Sequence, residues 1–141
     1  MLAPETVNLS NHRLKKSKEA LKQANVLLEN QMFDGSINRS YYAIFYSIRS
    51  ILALIGLDSK KHSGVLSIFD RYFVKMGIFE KKFSRMAHTA FDVRQDCDYE
   101  DFFVPSEDDA KTQYSKAEIF VAEIEQKRQK IINKQIILPE V

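Results

Sequence analysis

The sequence predicts an all-α protein, an antiparallel four- to five-helix up-and-down bundle, and three observations carry that prediction. Only 4 Gly and 3 Pro interrupt 141 residues, too few for a turn-rich β architecture. Five stretches repeat apolar residues at the three-and-four spacing of a helix face, and none alternates them as a half-buried strand does. The connections between these stretches are short, which sets successive helices side by side and antiparallel. A chain of this length is expected to form one domain, residues 8–131 with a C-terminal tail at 132–141.

The first helix is expected over residues 8–31, where Leu14, Leu21, Ala24 and Leu28 share a face and Arg13, Lys15, Lys16, Lys18 and Lys22 take other angles. That basic face reads as solvated surface partly compensated by Glu19 and Glu29, with RNA contact as the alternative. The second helix is expected over 34–56, with Asp34 or Ser36 as N-cap and Gly56 as its stop. Ile37, Tyr41, Phe45, Ile48, Leu52 and Ile55 fall in one sector and form a core stripe. Arg39, Tyr46 and Ser50 gather on the far side, flanked by Tyr42 and Ala53. After the loop ending at His62, Ser63 can cap a third helix, whose Leu66, Phe69, Phe73 and Met76 face the core up to Gly77.

Residues 79–95 predict a fourth helix with Phe83, Ala87, Ala90 and Arg94 aligned. A guanidinium on an apolar stripe stays charged and needs a partner, and Asp98, four residues on, is a candidate. Pro105 and Ser106 open a fifth helix, with Asp109 completing a capping box and three acids in the first turn, where the helix dipole favours them. Ala110, Tyr114, Ala117, Val121 and Ile124 form its apolar face, and it frays after Ile132. The apolar tail at 136–138 either folds back on the core or adds to a partner.

Cys97 is the only cysteine, which excludes an intramolecular disulfide and a Cys-rich zinc site and suits a reducing, cytoplasmic setting. The first residues lack the pattern of a signal peptide, and no apolar run approaches the roughly 18 residues of a membrane span, so a soluble chain with no membrane partner is expected. A net charge of +2 does not by itself announce nucleic acid, but the charge is uneven: eight acids lie between Asp92 and Asp109 against one base, Arg94. There is no internal repeat, Gly-rich phosphate loop, zinc spacing or paired-carboxylate motif, and neither a cofactor nor a metal is expected.

The stretch Asn38-Arg39-Ser40-Tyr41-Tyr42-Ala43-Ile44-Phe45-Tyr46 resembles the prokaryotic HEPN domains, whose corresponding segment often reads Asn/Ser-Arg-x-Tyr-Tyr-Ala-x-Phe-His. Further landmarks agree in order: His62-Ser63-Gly64, the stretch from Phe69 to Gly77, Arg94 with Asp98-Tyr99, and the closing helix with Ala117 and Phe120-Val121. The resemblance spans roughly residues 8–125. It implies a four- or five-helix bundle, commonly a homodimer, often encoded beside a small nucleotidyltransferase partner in a toxin–antitoxin-type pair. The best-defined toxins of the family are metal-independent ribonucleases marked by an arginine followed after four to six residues by a histidine. A histidine can take the proton of a ribose 2′-hydroxyl while an arginine holds the phosphate.

In this sequence a tyrosine stands at both places: Tyr99 after Arg94 and Tyr46 after Arg39. A phenol with a pKa near 10 is only about 0.1% ionised at pH 7 and is a poor general base. The resemblance therefore implies a module that binds a nucleotidyltransferase partner, a nucleotide or RNA, with Arg39, Tyr42 and Tyr46 as the binding or dimer cleft together with Arg94. The alternatives are a metal-independent ribonuclease, with Arg94 and Tyr99 as its catalytic residues or His88 assisting, and a purely structural subunit. His62 and His88 read as structural by default, and His12 as surface. Tyr99 is also a candidate target for adenylylation by a partner.

Overall fold

A computed structural model describes residues 2–141. It contains α1 (Pro4–Glu29), α2 (Phe33–Ala53), α3 (His62–Phe69) running into a π-turn (Asp70–Val74), α4 (Lys81–Tyr99) and α5 (Glu107–Ile132). The all-α bundle is the fold the sequence predicts. Helix α2 is its axis, in contact with α1, α3, α4 and α5.

The expected core stripe of α2 is buried from Ile37 through Leu52, and Ile55 is half-buried beyond the helix end. Fully burying each large apolar side chain contributes about 1.5–3 kcal/mol relative to exposure, so this stripe with Phe69, Phe73, Phe79, Phe83, Phe120 and Ile124 dominates the stability of the bundle. The far side of α2 is not the free polar face expected: Ser50 and Ala53 are buried there. The reason lies in α1, which packs against that side through small residues. Ser10 Oγ donates to the Ser50 carbonyl at 2.7 Å, Ser17 Oγ to the Ala43 carbonyl at 2.6 Å, and Ser36 Oγ to the Ala24 carbonyl at 2.8 Å. Ser10, Ser17 and Ala24 are spaced by seven, as are Ser36, Ala43 and Ser50. A step of seven is nearly two turns, so each helix presents one row of small side chains and the antiparallel rows meet in reverse order.

Arg128 of α5 closes this seam. It is buried, its Nε donates to Ser10 Oγ at 2.6 Å, and its Nη2 donates to Asn11 Oδ1. Burial holds its guanidinium below the usual arginine value, with Glu125 opposing.

Several expected boundaries shift. Helix α2 starts at Phe33 with Met32 as N-cap, so Asp34 and Ser36 lie inside it; Ser36 spends its hydroxyl on α1 rather than on its own helix. Helix α3 is capped by Lys61, not Ser63, and no side chain caps it. Met76 is exposed, because the π-turn inserts a wider turn, closed by Lys75 N–H to Asp70 C=O at 2.8 Å, and shifts the phase of the apolar face before it. Helix α4 extends to Tyr99, which places Arg94 and Asp98 one turn apart on a single helix. Gly56, with φ +70°, ends the last turn of α2, and Leu57 N–H reaches the Leu52 carbonyl at 3.3 Å. Ser106 caps α5 with the reciprocal Asp109 bond, and the helix ends at Ile132 as expected. Ile136 and Leu138 of the tail fold back and pack on the core.

Replacing Ser10 by Ala leaves the buried Arg128 Nε without its acceptor and the Ser50 carbonyl without its donor. Urea unfolding is expected to show a loss of about 1–3 kcal/mol; a loss below about 0.5 kcal/mol would show that the seam does not depend on this hydroxyl.

Candidate functional site: an arginine–tyrosine face with a half-buried histidine

Packing α1 against one side of α2 leaves Arg39, Tyr42 and Tyr46 half-buried along the edge between α1 and α4. Arg39 is held by Asn38, whose Oδ1 accepts from Nε at 3.1 Å and from Nη2 at 2.9 Å, and by Gln23 Oε1 at 3.4 Å from Nη1. Its guanidinium lies 4.9 Å from the centre of the Tyr42 ring. Arg94 arrives from α4: its guanidinium lies 5.4 Å from the Tyr42 ring centre and 5.2 Å from that of Tyr41, and Nη2 donates to Tyr42 Oη at 3.1 Å. Tyr42 therefore has an arginine from each of two helices against it. Tyr46 follows at 5.6 Å between ring centres, with the Lys16 ammonium 4.8 Å from its ring. Cations over aromatic faces gain about 0.5–2 kcal/mol each, more as they lose water.

The expected partner of Arg94 is present. Asp98 Oδ2 lies 3.0 Å from Arg94 Nε, an ion pair by distance, although the angle is too poor for a hydrogen bond and leaves the buried Nε–H without one. An anionic ligand at Arg94 competes with Asp98 for this group.

Tyr99 stands apart. It is 72% exposed at the end of α4, and a step of five residues turns it well away from Arg94. His88 is also elsewhere: it is exposed and its Nε2 pairs with Asp70 Oδ2 at 2.7 Å. His12 is at the surface. Among the described residues no three His, Cys, Asp or Glu side chains converge as a metal site would require. Burial, and after it Asp98, pushes the Cys97 thiol up to about 11, so it is protonated and unreactive at neutral pH.

His62, which the sequence reads as structural by default, sits against this face. As the first residue of α3 it inserts beside the tyrosines: its ring stacks on Phe45 at 4.1 Å between centres, and Nδ1 lies 2.6 Å from Tyr41 Oη. Tyr41 is buried and has no other hydrogen-bond partner for its hydroxyl among the described residues, and burial holds that phenol well above its ordinary value. The hydroxyl therefore donates to Nδ1, and the neutral imidazole carries its proton on Nε2. Burial, then Arg94, then Arg49 hold the His62 pKa below its usual range. At neutral pH the ring is a hydrogen-bond donor beside two arginines, not a free base. The signal present in the sequence is the local run His62-Ser63-Gly64; a β-carbon on Gly64 would come within 2.8 Å of Ser59 Cβ, so the glycine keeps the preceding loop tight against the start of α3.

The fold and this face define a class: a helical bundle built on an Asn-Arg-x-Tyr-Tyr second helix. The chain belongs to the HEPN domain family, whose model matches residues 10–127. It is 37% identical over 111 residues to a UPF0332 protein of Thermotoga maritima, covering 79% of this chain and 84% of that one. It is 34% identical over 116 residues to a Methanocaldococcus jannaschii protein named "Putative toxin MJ0605", covering 82% and 86%. A second protein of that organism, named "Putative toxin MJ0142", is 26% identical over 127 residues, covering 90% and 84%. No helix among the described residues is long and apolar enough to cross a membrane.

The charged form of His62 is disfavoured in the folded state, so the unfolded chain binds the proton more readily. Its contribution to stability is complete above about pH 6.5 and declines as pH falls below that value. Melting temperatures between pH 7.5 and 5.5 are expected to fall more steeply in the wild type than in His62→Gln; parallel slopes would exclude this role.

Proposed function

We propose that the chain is a toxin-like HEPN module that binds RNA or a nucleotide on the Arg39/Tyr42/Tyr46/Arg94 face. Its partners are a second copy of the chain and a small nucleotidyltransferase. The observation that carries the ligand reading is Tyr42, with guanidinium groups from α2 and α4 at 4.9 and 5.4 Å from its ring. An arginine offers a forked pair of donors to a phosphate, and a tyrosine ring offers a stacking surface to a base. Lys16 beside Tyr46 extends the alternation of cation and ring. Nε2–H of His62 adds a neutral donor at the inner edge.

The same geometry supports binding over turnover. A ribonuclease of the arginine–histidine kind needs a base that accepts the 2′-hydroxyl proton. On this face the histidine nitrogen nearest the tyrosines already accepts from Tyr41, and Tyr99 is remote. The toxin names of the two Methanocaldococcus relatives support placement in a toxin–antitoxin-type system.

Anisotropy titration of a labelled single-stranded RNA is the direct test. Arg39→Gln and Arg94→Gln are each expected to weaken binding and to flatten the salt dependence by about 0.7 for each phosphate that is no longer neutralised. Tyr42→Leu is expected to remove about 1–3 kcal/mol for a stacked base. Unchanged affinity in the Arg39→Gln/Arg94→Gln double variant would overturn the reading. Absence of any RNA or nucleotide binding, with tight co-purification of a nucleotidyltransferase, would identify a structural subunit instead. In the presence of EDTA, RNA is expected to stay intact; cleavage abolished by Arg94→Ala would identify a nuclease.

A further inference from the structure

A second group of cations lies on the other side of α4. Arg85 precedes Arg94 by nine residues, which is half a turn out of phase and about 14 Å along the helix axis. There, α3 with its π-turn and the start of α4 enclose an open cavity of about 910 Å3. One wall carries Ser67, Arg71 and Lys75, the other Lys81, Ser84 and Arg85. Residues four apart on a helix share a face, so Ser67, Arg71 and Lys75 form one edge, and Lys81 and Arg85 form the opposing one. The turn between them runs through Gly77 at φ +86°, a conformation that costs other residues.

None of these four cations forms an ion pair among the described residues, and the Arg71 guanidinium lies 5.2 Å from the centre of the Tyr72 ring. Asp70 is the one carboxylate lining the cavity: its Oδ2 pairs with His88 at 2.7 Å and its buried Oδ1 has no hydrogen-bond partner, so one negative charge stands against the four cations. Four exposed cationic side chains line this one space, an excess of three positive charges over Asp70, and α4 begins at Lys81 on its rim, the positive end of the helix dipole. Besides the Asp70 carboxylate, the lining residues carry hydroxyls, ammonium groups and guanidinium groups, with Val74 as the single apolar residue and no aromatic ring to stack on a base. Such a surface recognises phosphate groups and is indifferent to a nucleobase.

We propose that the cavity between the π-turn and the start of α4 is a polyphosphate-binding site, formed by Arg71, Lys75, Lys81 and Arg85 with Ser67 and Ser84 as hydrogen-bond donors. It is separate from the tyrosine face and does not rest on that face binding RNA. The phosphates can come from a nucleic-acid backbone or from a nucleoside polyphosphate, since the lining reads only what the two share.

Calorimetric titration of the full chain with inorganic tripolyphosphate is the test. Saturable binding is expected at low salt, at least tenfold weaker in Arg71→Gln/Arg85→Gln and in Lys75→Gln/Lys81→Gln. A charge-matched control, Lys111→Gln/Lys130→Gln on α5, is expected to bind as the wild type does. The four substituted side chains are at the surface, and unchanged melting curves will show that the fold is kept; if one double variant unfolds, the other gives the same reading. No saturable binding, or an equal loss in the control, would overturn the site. Displacement by ATP with no displacement by an RNA oligonucleotide assigns the phosphates to a nucleoside polyphosphate; displacement by RNA of any sequence assigns them to a backbone.

Discussion

The close approach of α1 and α2 is the constraint on which the rest of this structure depends. Two rows of serine and alanine at seven-residue spacing let the helix backbones meet, and three hydroxyls donate across the seam to carbonyls of the opposite helix. A buried hydroxyl must be bonded or it costs stability, so these bonds also set the register of the pair. With α1 fixed on one side of α2 and the aromatic core on another, only the strip through Arg39, Tyr42 and Tyr46 is left partly open. Arg128 ties α5 into the same seam through Ser10, which accepts from the guanidinium while donating to the Ser50 carbonyl.

The electrostatics of the tyrosine face follow from that geometry. Arg94 is drawn onto the rings of Tyr41 and Tyr42 and balanced by Asp98, which keeps a nearly desolvated guanidinium in place. His62 is kept neutral by burial first and by Arg94 second, whereas burial keeps the Tyr41 phenol protonated against the opposing pull of Arg94. The Tyr41 hydroxyl is spent on His62 Nδ1, which leaves the His62 Nε2–H as the one free donor of the pair. Acids crowd the C-terminal half of α4 and the loop after it, while Lys81, Lys82 and Arg85 crowd its start. One helix thus separates two environments of opposite character.

Much of this is legible along the chain because it is local. The apolar period of each helix, the stop at Gly56, the cap at Ser106 and the Arg94–Asp98 spacing each involve residues within a few positions of one another. The features that differ from expectation share another property. Ser36 reads as a cap because a serine before an apolar run usually is one, and only the presence of Ala24 across the seam redirects its hydroxyl. Met76 fits the helical period, but a π-turn stabilised by tertiary packing breaks that period. His62 is 21 residues from Tyr41, and a histidine at the end of a polar loop gives no local hint of the ring it will join.

The sequence by itself determined five amphipathic helices, their order and the membership of the HEPN family, since periodicity, capping and motif are written in neighbouring residues. Tertiary structure decided which face of α2 remained open, because that depends on small residues of α1 lying opposite small residues of α2. It also decided that Arg39 and Arg94, 55 positions apart, share one tyrosine ring while Tyr99 does not. Helical phase fixes where a side chain points; only packing between helices fixes what it meets.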